Sequence, residues 1–217
     1  GRKPRGSSAA SSSGAIRSTW LSPSGGAQWY QKRSEGFDAP DRPQPRAEFL
    51  ILATGGTIDK CYPRLTRGWA FEIGDPAAGR MLERVTPPGF DFAVESVCKK
   101  DSMELTPADR EAVLQRCVKT SLEHIIVTHG TDTMIETARY LGRQHRELLV
   151  GKRIAITGAM RPERFVDTDA HFNLGVCFGA LGLAPPGVYV CMNGLVMPWT
   201  SVDRDPDTGL FTSPSAA

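Results

Sequence analysis

From Phe49 onward, short apolar runs alternate with amphipathic ones. "EFLILATGG" is continuously apolar and closes on two glycines. "DFAVESVCKKDS", "HIIVTHGTDT", "KRIAITGAMRP" and "GVYVCMNG" repeat the form: a stretch rich in Ile or Val with a polar or glycine exit. Runs of this length and composition predict buried strands. Between them, "PADREAVLQRCVKTSL", "MIETARYLGRQHRELL" and "HFNLGVCFGALGL" space their apolar residues at helical intervals, and Pro107 stands where a helix begins. Strand and helix in alternation predict an α/β fold with a mostly parallel sheet, whose ligands gather at the carboxyl ends of the strands.

Those ends carry the polar chemistry. "TGGT", "DS", "HGTDT" and "GAMR" each follow a predicted strand. Gly55-Gly56 removes side chains so that another group can approach the backbone, and the hydroxyl of Thr57 comes immediately after. Taken singly, Ser102, Thr106 or Asp132 reads as a helix cap. Four such clusters on one edge of one sheet point to a ligand site.

Residues 1–47 differ in kind. They include "GSSAASSSGAIRSTWLSPSGGAQ", have no acidic residue before Glu35, and end in the Pro-rich "DAPDRPQPR". A disordered extension and linker is expected, followed by one domain over 48–217. A basic, Ser-rich, acid-poor segment also has the composition of a transit-peptide remnant, which would place the protein in an organelle. The formal charge of +2 gives no argument for a nucleic-acid or membrane partner. The five cysteines are scattered without CxxC spacing, so they read as free thiols in a reducing compartment, the cytoplasm.

Two motifs, "TGGTI" (Thr54 to Ile58) and "HGTDTMIETA" (His129 to Ala138), together resemble the asparaginase family, the bacterial-type amidohydrolases with a threonine nucleophile. "DSMELTP", "TGAMRP" and "DAHFNLG" extend the resemblance from Phe49 to Phe211. It resembles the short forms, little more than the amino-terminal domain. The resemblance implies a flavodoxin-like, doubly wound sheet with helices on both faces. It also implies hydrolysis of L-asparagine to L-aspartate and ammonia, with a small amino acid as the molecule bound and no cofactor. Homo-oligomer formation is left open.

In that resemblance Thr57 attacks the carboxamide carbon and Thr131 positions the hydroxyl and water. Asp132 binds the α-ammonium, as an acceptor-only carboxylate can. Gly56, Asp101, Ser102 and Gly130 complete the substrate-binding set, with Ser102 on the α-carboxylate. Two departures stand out. The family's lysine after the fifth strand is replaced by Arg204, which keeps the charge but does not readily give up a proton. The family's mobile-loop tyrosine corresponds to Tyr62, the only tyrosine in "DKCYPRLTRGWAFEIGDP", although Trp69 and Phe71 sit nearer the usual separation. An amidase on another carboxamide, and a relative that binds an amino acid without turnover, remain as alternatives. Asp167, Asp169 and His171 read as loop-bracing residues rather than metal ligands, and no metal site is expected. His129 reads as a brace for the end of the third strand.

Overall fold

The computed structural model describes residues 28–30, 48–62, 71–85 and 88–213. The five predicted strands are all present. In chain order they are β2 (Glu48–Gly55), β5 (Asp91–Lys100), β6 (His124–Thr128), β7 (Arg153–Thr157) and β8 (Gly187–Met192), preceded by a short β1 (Gln28–Tyr30). The sheet runs β1-β5-β2-β6-β7-β8, closed by β9 (Leu195–Pro198). Pairing from β5 through β8 is parallel. The parallel strands therefore lie in the order second-first-third-fourth-fifth, the flavodoxin-like arrangement. Its switch point falls between the first and third of these strands, here β2 and β6.

Period-two alternation explains why both faces are covered. Leu50, Leu52, Ile125, Val127, Ile154 and Ile156 face one side, where they pack with Val113, Leu114, Met134, Ala138 and Leu141. Those partners lie on α2 (Pro107–Lys119) and α3 (Met134–Gln144). Phe49, Ile51, Ile126 and Ala155 face the other side, against α1 (Ala77–Glu83) and α4 (Ala170–Leu183). The interiors of β2, β6 and β7 are thus continuously apolar, as strands buried on two faces must be.

The structure departs from expectation in three places. Within 1–47, where disorder was expected, Gln28–Tyr30 pairs antiparallel with Phe92–Val94 of β5 and occupies what would otherwise be an open sheet edge. Residues 1–27 and 31–47 lie outside the described residues. Helix α3 stops at Gln144 rather than running on to Leu149, because the chain turns there to bury Leu149 in the core. Beyond β8 a further strand follows that was not among the five predicted. The chain reverses through Asn193-Gly194, both at positive φ as a tight hairpin requires, into β9.

The chain after β9 packs back onto the helical layer. Trp199 is seated so closely on α3 that a Cβ on Gly142 would lie 2.2 Å from its ring. A small hairpin then forms, β10 (Asp203–Arg204) with β11 (Phe211–Thr212). A second hairpin, β3 (Lys60–Cys61) with β4 (Glu72–Ile73), lies between β2 and α1.

Candidate active site

Three glycines let the ends of β2, β5 and β6 touch. Gly55, at φ 103°, lies against β5, where a Cβ would come within 2.5 Å of the Lys100 carbonyl oxygen. Gly56, at φ 80°, lies against the segment after β6, where a Cβ would be 2.3 Å from the Gly130 nitrogen. Gly130 in turn backs onto Ser102, 2.6 Å from such a Cβ to the serine Cβ. No side chain could be placed at any of the three without moving backbone or Ser102. The double glycine is therefore a point of contact between loops at the switch point of the sheet, where ligands of such folds bind. Thr57 follows directly, half-buried, as the first residue of a 3-10 turn, Thr57–Asp59. Its hydroxyl has no hydrogen-bond partner among the described residues.

The segment after β6 is held from below by His129. The imidazole is fully buried, with Nδ1 2.7 Å from the Gly130 carbonyl and Nε2 2.8 Å from the Thr137 hydroxyl. Arg110 Nε donates to that same hydroxyl at 3.1 Å, so the hydroxyl proton points to Nε2 and Nδ1 carries the ring proton. Burial pushes the ring down to about 4, and it is neutral at physiological pH. This is a brace, as the sequence suggested. Above it, Thr131 is buried, Asp132 is exposed, and the Thr133 hydroxyl donates to the Ser102 carbonyl at 2.7 Å. Ser102 Oγ is itself buried without a hydrogen-bond partner. An orphan hydroxyl in such a place calls for a ligand or water to satisfy it.

Arg204 arrives from the β10–β11 hairpin. Its Nη1 donates to Asp132 Oδ1 at 3.1 Å and to the Thr131 carbonyl at 3.4 Å. Nε donates to the Gly209 carbonyl at 2.9 Å, and the guanidinium lies 5.5 Å from the Phe211 ring centre. The hairpin is thus folded around a planar fork that reaches across to the Thr131-Asp132 segment.

Two expected site residues stand apart. The Asp101 carboxylate accepts from Met103 N–H in a capping box and pairs with Lys60 Nζ at 2.8 Å, so it is occupied in bracing the loop after β5. Tyr62 is 65% exposed, with its ring tilted 41° against that of Phe71, centres 4.8 Å apart. Trp69 lies outside the described residues. Among the described residues no group of three His, Cys, Asp or Glu is arranged to hold a metal. Asp169 instead accepts from the amides of Met160 and Arg161, and Asp167 pairs with Arg161. No helix among these residues is long and apolar enough to cross a membrane. Two buried carboxyls, Asp59 and Glu163, were not expected from the sequence. Asp59, in the turn that Thr57 opens, accepts from the amide of Ala77, and a partner 18 residues away leaves no local signature.

The profile described as asparaginase, N-terminal, matches residues 48–209. L-asparaginase 2 of Escherichia coli (strain K12) is 32% identical over 176 residues, which is 75% of this chain and 47% of that protein. The glutaminase-asparaginase of Acinetobacter glutaminasificans is 28% identical over 160 residues, 66% of this chain and 45% of that protein. The chain therefore spans less than half the length of these two relatives. The thermostable L-asparaginase from Thermococcus kodakarensis has a similar fold, with a TM-score of 0.65 at 23% identity over 76% of this chain and 51% of that one.

Proposed function

The chain belongs to the asparaginase family, and on that premise we propose that it is an amidohydrolase converting L-asparagine to L-aspartate and ammonia through Thr57. The observation that carries this reading is the contact of Gly56 with Gly130 and of Gly130 with Ser102. It gathers Thr57, Thr131, Asp132 and Ser102 around one point at the sheet's switch point, with two hydroxyls there lacking hydrogen-bond partners among the described residues.

In this reading Asp132 receives the substrate's α-ammonium on the carboxylate oxygen that Arg204 leaves free. Ser102 Oγ, otherwise unsatisfied, donates to the α-carboxylate. Thr57 Oγ forms a bond to the side-chain carboxamide carbon, the carbon–nitrogen bond breaks, and the hydroxyl proton departs with the nitrogen as ammonia. Water, held on the Thr131 side, then opens the aspartyl ester and returns a proton to Thr57 Oγ. The reaction balances without a cofactor. The decisive test is ammonia release from asparagine and from glutamine by wild type and Thr57→Ala. Turnover is expected to vanish in the variant while aspartate binding, measured by calorimetry, persists. If Thr57 were only a turn residue, its loss would spare the rate.

The second reading, a binder without turnover, draws on Arg204 in the place of the family's lysine. It requires aspartate to bind to wild type while no carboxamide releases ammonia.

A further inference from the structure

The Thr57 turn is held by more than its glycines. Asp59 closes the turn with its amide bonded to the Gly56 carbonyl at 3.1 Å, and its side chain is 3% exposed. Oδ1 accepts from Ala77 N–H at 2.7 Å, the first amide of α1. That helix has Pro76 at its N-cap and no side-chain cap of its own, so Asp59 supplies from a distance what a local Ser or Asp usually provides. The Asp59 carbonyl accepts from Gly74 N–H at 2.9 Å, and the Ile58 carbonyl accepts from Glu163 N–H at 3.2 Å. Glu163 is itself buried, and its carboxylate holds Arg80 of α1 at 2.9 Å and Arg84 at 3.2 Å. Turn, helix and the segment after β7 are thereby joined around one carboxyl pair.

We propose that Asp59 is a positioning residue for Thr57: its contact with the α1 amide fixes the turn in which the threonine hydroxyl is presented. The role rests on Thr57 being the nucleophile, but the contact itself can be tested without that assumption. Asn at this position keeps an oxygen for Ala77 N–H, Ala removes it, and Ala77→Pro removes the donor from the other side at a helical position that tolerates proline.

The experiment has two readouts on the full chain: amide hydrogen exchange followed by NMR, and the kcat and KM of ammonia release from asparagine. In Asp59→Ala the amides of Asp59, Gly74 and Glu163 should exchange at least about tenfold faster, while those of Leu50 to Leu52 stay as they are. The same variant should lose at least about tenfold in kcat with little change in KM, because a nucleophile displaced by a fraction of an ångström still leaves the binding groups in place. Asp59→Asn should restore most of both. If Asp59→Ala does not fold, Ala77→Pro takes its place in both measurements. Unchanged exchange at the three amides overturns the proposal whatever the activity. Faster exchange with wild-type kcat overturns it as well, since the turn would then not govern Thr57. Faster exchange in a protein whose wild type releases no ammonia would sustain the anchoring of the turn and reject the amidohydrolase reading instead.

Discussion

Arg204 poses a chemical choice at a single side chain. A lysine could lend a proton; a guanidinium effectively cannot. The geometry speaks for a fixed charge, because Nε and Nη1 are engaged at once with Gly209, Thr131 and Asp132, and the plane lies beside Phe211. An ammonium gathers its three donors at one atom, so it cannot span the Gly209 carbonyl on one side and Asp132 on the other as the guanidinium fork does. Arg204→Lys is therefore expected to slow ammonia release, on the order of tenfold, by loosening Asp132 and the Thr131 carbonyl. If the site instead lacks a proton carrier, lysine should raise the rate by roughly 10²–10⁴. Rates of the two proteins measured across pH separate these outcomes, and an accelerated lysine variant would show that this chain is a weakened relative.

Among the elements, the decisive contact is loop against loop. Gly56 and Gly151 share a positive φ, 80° and 79°, but a Cβ on Gly151 meets nothing within 4 Å while one on Gly56 strikes the Gly130 backbone. Gly151→Ala should cost only the left-handed strain, about 1–2 kcal/mol. Gly56→Ala should cost more, because its ψ of −173° lies in a region that essentially only glycine occupies and because overpacking adds about 1–3 kcal/mol; turnover should be lost, since the β2 and β6 ends must part. Equal losses in urea unfolding would refute the close approach. The comparison also marks what the sequence can and cannot disclose. Doubly buried strands such as "HIIVT" announce themselves by composition, and "TGGT" and "HGTDT" mark the strand ends by glycine and hydroxyl. Sequence does not reveal which glycine touches which loop, because Gly56 and Gly130 meet only in the assembled sheet. Nor does it reveal α1 within "DPAAGRMLERV", which depends on Asp59 for its cap, or the two-residue hairpin strands that bring Arg204 to Asp132.

At the scale of the whole molecule, two buried titratable groups on opposite faces of the site pull stability in opposite directions. Burial lowers His129 from 6.5 to about 4, so between these values the unfolded chain holds a proton that the native one lacks, and stability rises with pH. Burial raises Asp59 from 3.8 to about 7, outweighing the amide of Ala77 and the charges of Arg80 and Lys99, with Glu163 adding to the rise. Over that interval the native chain holds the extra proton, and stability falls as pH rises. Each slope is about 1.4 kcal/mol per pH unit, so from about pH 4 to 6.5 the two largely offset. The carboxylates held low by ion pairs or hydrogen bonds, such as Asp75, Asp101 and Asp109, act mainly below this window. Asp59→Asn removes one slope and leaves the other. Relative to wild type, the variant should therefore gain stability as pH rises from 4 to 7, by on the order of 4 kcal/mol in all, with the difference constant above that. Urea unfolding of both proteins at half-unit pH steps measures it. Parallel stability curves would mean that Asp59 ionises in the native protein near its ordinary value, and that the anchor of the Thr57 turn is a charged carboxylate.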